Sequence, residues 1–400
     1  MGVNGASVGQ AIGIVLGVPL GLYILFLILG AIPFFQRHFV YAHIFNTLLW
    51  DNVDKPEKWG FARNQATPFY LKTPDGQKIY AWHVLPLPLY AKHEEKIATS
   101  RKPGVCEDVT KTESFRLLKD DPNAKVIIYF HGNAGHVANG WRTDTYHSLT
   151  DTTSYHVLAI DYRGFGRSSG TPTEQGLILD ALTAVEWVMK TAQVPSNKIV
   201  LFGQSLGTAV ASGVAELCAD DGHELAGIVL VAGFSTLPTM LTGYRISGYV
   251  PVFGPFQWVP LTSRGLQALI YEKWPSGDRL SRVVKQTKSR LRLTLVHAKN
   301  DKDIPCHESD KLFKASVSAS VPGGLDAAEF EALQKKATRT WEKGVFQRVW
   351  RAEPNIVIRQ EQFSHGGFLG VVHSHSRTGH NRIMKFAPAL LAIMRSFEED

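Results

Sequence analysis

The chain has only three cysteines, Cys106, Cys218 and Cys306, and no two of them have paired spacing. Neither a disulfide framework nor a cysteine zinc site is indicated. Blocks of like charge are also missing. The net charge is +7, but the basic residues are scattered and no nucleic-acid motif accompanies them. No nucleic-acid partner is expected; a weak preference for anionic membrane surfaces is the most this charge implies. A third absence is local: no charged side chain precedes Arg37.

In its place stands a run, Ala11 to Phe35, that is apolar throughout apart from interspersed Gly13, Gly17, Pro19, Gly21 and Gly30. About 25 helical residues span somewhat more than the ~30 Å hydrocarbon layer. A cleaved signal peptide would carry a basic leading region and a shorter apolar run. The expectation is a single-pass membrane anchor over residues 1–36, with an aromatic, mildly basic juxtamembrane segment over 37–60. Trp50 and Trp59 suit either the headgroup level or packing on the domain. Gly2, Ala6 and Ser7 miss the myristoylation pattern by one position. Arg37, Lys55, Lys58 and Arg63 make the following side basic, and no Asn-x-Ser/Thr sequon occurs; both favour a cytosolic catalytic domain.

The remaining residues, 61–400, suffice for one large α/β domain with insertions. Its centre is IVLFGQSLGTAVAS, Ile199 to Ser212. An apolar strand, a G-x-S-x-G turn and a small-residue helix form the nucleophile-elbow pattern. The glycines permit a sharp bend that presents Ser205 above the strand's carboxyl end. The helix behind it points N–H groups, that of Leu206 first, at a developing oxyanion.

Thr67 to Lys72 and Lys78 to Leu85 flank a D-G turn and read as a hairpin. Pro86 to Asp121 is polar and irregular and reads as an exposed insertion. From Lys125 strands alternate with helices. Lys125 to Phe130, His156 to Asp161, Lys198 to Phe202, Ile228 to Val231, Leu291 to His297 and Asn355 to Arg359 are apolar runs suited to buried parallel strands. Gly140 to Thr150, Thr173 to Thr191, Ser205 to Leu217, Cys306 to Ala315 and Asn381 to Phe397 read as helices. The expected fold is therefore a mostly parallel sheet with helices on both faces and its site at the strands' carboxyl ends. Two insertions interrupt it. One, at about 233–290, is rich in Pro, Gly and aromatics and falls where a cap would cover the site. The other, about 316–349, contains a charged, helix-prone segment from Asp326 to Lys343.

His131-Gly132-Asn133-Ala134-Gly135 follows the first central strand, where such a loop supplies the second oxyanion N–H, from Asn133 or Ala134. His131 precedes the nucleophile, against the expected order of serine, acid, histidine, and is read as holding the loop. Asp161 reads as a turn residue. Asp301 and Asp303 both follow a later strand; Asp301 lies nearer its end, and Asp303 reads as an exposed loop charge. The base is sought among His365, His373, His375 and His380. His380 abuts the last helix, whereas His365 follows the last strand almost at once. Their loose spacing, with no carboxylate among them, does not point to a metal. No cofactor is expected.

With HGNAG, DYRGFGRSSGTPTEQG, GQSLGT, NDKDIP and GHN in place, the chain resembles the α/β-hydrolase-domain membrane serine hydrolases. It is most similar to their monoacylglycerol and lysophosphatidylserine lipase branch. The resemblance runs from about Ile127 to Asp310 and over the last helix. It implies the α/β-hydrolase fold, with Ser205 as nucleophile, Asp301 as acid and His380 as base. It also implies a lipid ester substrate and a membrane of the endoplasmic reticulum. Segments 316–349 and His365 to His380 are longer than the family pattern, which leaves His365 as the alternative base. The expected activity is hydrolysis of single-chain lipid esters through an acyl-enzyme. An acyl-protein thioesterase and a catalytically silent, membrane-tethered scaffold are the alternatives.

Overall fold

The apolar runs become the core of a ten-stranded sheet. The computed structural model describes residues 5–246, 250–254, 260–342, 345–363, 380 and 383–398. A hairpin of β1 (Ala66–Lys72) and β2 (Lys78–Val84) forms one edge. The centre comprises β3 (Lys125–Phe130), β4 (Tyr155–Ile160), β5 (Ile199–Gln204), β6 (Gly227–Val231), β9 (Leu291–Ala298) and β12 (Ile356–Phe363). The short pair β7 (Arg245–Ile246) and β8 (Val250–Pro251) forms a separate ribbon, and β10 (Thr338–Glu342) and β11 (Val345–Ala352) complete the sheet's other edge. The order is β1-β2-β4-β3-β5-β6-β9-β12-β11-β10, with β4 through β12 in this order parallel.

Successive strand residues face opposite layers, and two cores result. Ile128, Phe130, Leu201, Ile228 and Leu230 pack under helices carrying Leu177, Val210, Leu280 and Leu312. Ile127, Tyr129, Val200, Phe202 and Val229 pack on the other side under Tyr146, Leu149, Ala392 and Ile393. This is the α/β-hydrolase fold with helices on both faces.

Several expectations change. Pro86 to Asp121 is not irregular: it forms Leu87–Lys92, Glu94–Ser100 and Glu113–Lys119, which bury Tyr90, Ile97, Phe115 and Leu118. Its few apolar residues fall at helical spacing among many charges, and the charges dominated the reading. The segment after Asp326 is a helix only over Ala327–Ala337; β10 and β11 then extend the sheet. These strands are only partly covered, so their polar residues mask the strand pattern. The last helix is Ala387–Ser396, preceded by a single turn, Ile383–Lys385; Asn381 lies outside the described residues.

The N-terminal run forms α1 (Gly5–Ala31) and then α2 (Pro33–Tyr41). The chain breaks at Ile32, whose extended backbone is what a following proline enforces. Among the described residues no single helix is long and apolar enough to cross a membrane; Gly17–Ala31 and Pro33–Tyr41, bent by 100°, pass that test together. Of the aromatics next to it, Trp59 packs edge-on against Trp82, whereas Trp50 is 77% exposed.

The cap is smaller than the insertion. Ser276–Gln286 buries Leu280, Val283 and Val284 in the body, and Trp274 is buried with its indole N–H on the Tyr41 hydroxyl. Leu237–Gly243, the β7–β8 ribbon and Pro260–Leu269 are left to cover the site. Tyr249, Phe256 and Trp258 of the expected aromatic cap lie outside the described residues.

Candidate active site

Ser205 sits between β5 and the helix Leu206–Asp220 with φ +52° and ψ −119°. A side chain rarely adopts this backbone, and the surroundings enforce it. A Cβ on Gly203 would lie 2.4 Å from the Gly207 carbonyl oxygen, and one on Gly207 would lie 2.0 Å from that of Phe130. The strand and helix therefore approach more closely than any other residue permits. The Ser205 N–H donates to the Val231 carbonyl at 3.0 Å, fixing the turn to β6.

Asp301 follows β9 and is buried. One carboxylate oxygen accepts the N–H groups of Asp303 and Ile304, both at 2.9 Å. The other lies 2.7 Å from His380 Nδ1 and 3.3 Å from His297 Nε2. Burial alone would raise its pKa, but His380 and His297 more than offset this and hold the carboxyl well below its usual range. His380 shows the converse. Burial lowers its pKa, the Asp301 carboxylate raises it further, and the net shift is upward. With Nδ1 committed to Asp301, Nε2 is the nitrogen left for chemistry. The His380 carbonyl accepts from the Gln204 amide at 3.3 Å, tying this residue to the elbow.

Ser205, His380, Gly132, Asn133 and Leu206 line one cavity of about 320 Å³. The structure thus brings the sequence's serine, acid and histidine to one place. His365, His373 and His375 lie outside the described residues. Asp303 is not the exposed loop charge expected: it is half-buried and lines this cavity. Asp301, Asp303 and His380 are close enough to suggest a metal site. At 2.7 Å, however, His380 Nδ1 is already hydrogen-bonded to the Asp301 carboxylate.

The two candidate oxyanion donors of the glycine loop differ. The Ala134 N–H donates to the Asn133 side-chain oxygen at 2.9 Å, and Ala134 does not line the cavity. Asn133 does, and among the described residues neither its N–H nor that of Leu206 is donated elsewhere. His131 is buried under the loop with Nδ1 2.7 Å from the Gly132 carbonyl oxygen, and burial lowers its pKa to about 4, leaving it neutral.

Sequence reasoning missed what holds this loop. Arg142 is 2% exposed, and its guanidinium donates to the carbonyls of Gly132, Asn133, Ala134 and His136 at 2.6–3.3 Å. With the Gly132 oxygen held on Arg142, the N–H of the same peptide, that of Asn133, points the opposite way. An arginine opening a helix reads as a solvated charge, so no local signal marks it. The end of α2 and the segment after it grip the same loop: the Asn133 amide donates to the Val40 carbonyl at 2.7 Å, and the Gly135 N–H to that of Phe45 at 2.9 Å. His136, buried, meets Thr47 at 2.9 Å. His297 was also missed, because it looks like the end of an apolar strand. The long motif after β4 has its explanation in Arg163, which binds Asp180 at 2.8 Å and Asp75 at 2.7 Å and so fastens the β1–β2 turn to the body.

Residues 125–252 match the alpha/beta hydrolase fold family model. The chain is 28% identical over 304 residues to lysophosphatidylserine lipase ABHD12 of Xenopus tropicalis, covering 75% of this chain and 70% of that protein. Against its counterpart from Rattus norvegicus it is 26% identical over 308 residues, covering 74% and 68%. Against protein ABHD12B of Homo sapiens it is 28% identical over 283 residues, covering 70% and 69%.

Replacing Arg142 by Met removes the shared donor and leaves four buried carbonyls without it. The melting temperature should fall by about 5 °C or more, with Arg142→Lys intermediate. An unchanged melting temperature in both variants would show that the loop is held by something else.

Proposed function

We propose that this chain, a serine-type ester hydrolase of the α/β-hydrolase fold, cleaves the carboxylic ester of a single-chain lipid, a monoacylglycerol or lysophospholipid. The observation that carries this reading is one cavity with two characters. Its lining joins the polar Ser205, His380 and Asn133 to the apolar Phe234, Leu237, Met240 and Leu241 of the insertion. An ester with an apolar tail matches that division. The relatives' printed substrate, lysophosphatidylserine, belongs to the same class.

In the proposed reaction His380 Nε2 takes the Ser205 hydroxyl proton as Oγ attacks the ester carbonyl. The N–H groups of Leu206 and Asn133 would receive the oxyanion. Collapse expels the alcohol, which takes the proton from His380 and leaves an acyl-serine. Water, deprotonated by His380, then releases the fatty acid and restores Ser205. Asp301 keeps the imidazole in the tautomer with its proton on Nδ1 and stabilises the imidazolium.

We further propose attachment to a membrane, that of the endoplasmic reticulum by the family resemblance, through α1 and α2. Val15, Val18, Leu20, Leu22, Ile24 and Ile28 of α1 are exposed, and so are Phe34 and Phe35 of α2. Apolar surface this extensive needs a cover, and lipid provides one. Full-length protein should stay with membranes through carbonate and high-salt washing. Recovery of the intact chain in the soluble fraction would sink the attachment.

For the chemistry, Ser205→Ala and His380→Ala should each lower kcat on a monoacylglycerol by a factor on the order of 10⁴ or more, and His365→Ala by far less. Protonated His380 cannot accept a proton, so kcat/KM falls as pH drops through its pKa. Because that pKa is raised, the acid limb should lie above the ordinary value of ~6.5. Asp301→Asn should move it down. An inactive His365→Ala beside an active His380→Ala would reassign the base, and failure of the wild type on every lipid ester would reject the substrate class.

A further inference from the structure

The N-terminal helices do more than touch the domain surface. The Tyr23 hydroxyl donates to the Val252 carbonyl at 3.0 Å. Gln36 is buried at the bend, where its amide donates to the carbonyls of Gly30 at 2.7 Å and Leu269 at 3.1 Å and accepts the Tyr271 N–H at 2.6 Å. These bonds fasten both helices to the cap and enclose a second cavity of about 240 Å³ between them. Its α1 wall is Phe26, Leu27, Gly30 and Ala31, and its cap wall includes Phe253 and Leu266.

This second chamber adjoins the one that holds Ser205. Phe39, Val40, Leu241 and Tyr244 line both. Polarity falls along the path. Asn133, Asp303 and His380 stand in the first chamber, whereas Gln36, the one amide of the second, is spent on the backbone. Phe39, at the junction, is itself 50% exposed, on the helix whose Phe34 and Phe35 are also exposed. The path therefore borders the surface that lipid would cover. Gly30 lines this chamber, and a side chain has room there: a Cβ built on it meets nothing within 4 Å.

We propose that this second chamber holds the substrate's acyl chain, so that the helix pair is a wall of the binding site and sets chain-length selectivity. The proposal rests on the reading of the chain as a lipid ester hydrolase. The occupant is the acyl chain because the space adjoins the Ser205 chamber across Phe39, Val40, Leu241 and Tyr244, is apolar in its lining and is flanked by the apolar helices. The ester lies at Ser205, the first methylenes pass Leu241 and Tyr244, and the remainder packs against α1. A chain entering from the bilayer would pass Phe39 without its tail crossing water.

The test is a chain-length profile of full-length protein in detergent, with glycerol monoesters from butyryl to oleoyl. Gly30→Phe fills the second chamber from α1, and Leu266→Trp fills it from the cap. In both variants kcat/KM for long chains should fall about tenfold or more while that for the butyryl ester stays within about twofold, moving the optimum to shorter chains. Retained fluorophosphonate labelling of Ser205 would show that the reacting centre is intact. A wild-type profile in both variants would overturn the proposal. So would an equal loss on short and long esters, which would make the chamber a matter of stability alone. A wild type that hydrolyses esters with no dependence on chain length would overturn it and leave the esterase reading standing. A wild type inactive on all of them would instead bring down the functional reading itself.

Discussion

The site depends on how closely β5 and the helix after it can approach. Ser205 holds a backbone conformation that costs of the order of 1–3 kcal/mol, and contacts at Gly203 and Gly207 leave the chain no alternative. From that turn follow the exposure of the serine, the direction of the Leu206 N–H and the position of Gln204, which reaches the His380 carbonyl. The sheet contributes rigidity: the turn grows from a strand buried along its whole length and hydrogen-bonded on both sides.

The electrostatics are arranged around one carboxylate. Asp301 accepts two backbone N–H groups and faces two histidines, so it remains charged although buried. That charge shifts His380 upward and leaves Nε2 the nitrogen for chemistry. The neutral His131 beneath the glycine loop has the opposite character: burial lowers its pKa, and the Arg142 charge lowers it further. Two histidines in one neighbourhood therefore take different protonation behaviour from their surroundings.

The strand-helix alternation, the elbow and the approximate places of Ser205 and Asp301 were legible because each is marked by local sequence: apolar runs, glycines at required bends, polar residues just past strand ends; His380 was singled out among four histidines by the family resemblance of GHN. The supports were not. Arg142 acts through carbonyls six to ten residues back, and Val40 and Phe45 contribute only backbone atoms, which no side-chain pattern reveals. The edge strands β10 and β11 were hidden because half-covered strands carry mixed residues. The straight N-terminal helix of the sequence reading fails at one residue, Ile32, where the following proline redirects the chain and lays α2 along the cap. That redirection turns an apolar stretch legible only as an anchor into part of the molecule's interior surface.

The central claim is that Ser205 is the nucleophile of this fold. Its most direct measurement is peptide mapping by mass spectrometry of the full-length protein after reaction with a fluorophosphonate in detergent. One phosphonyl adduct should form on the peptide containing Ser205, together with loss of ester hydrolysis. An adduct on a different residue, or hydrolysis that continues with Ser205 fully modified, would contradict it.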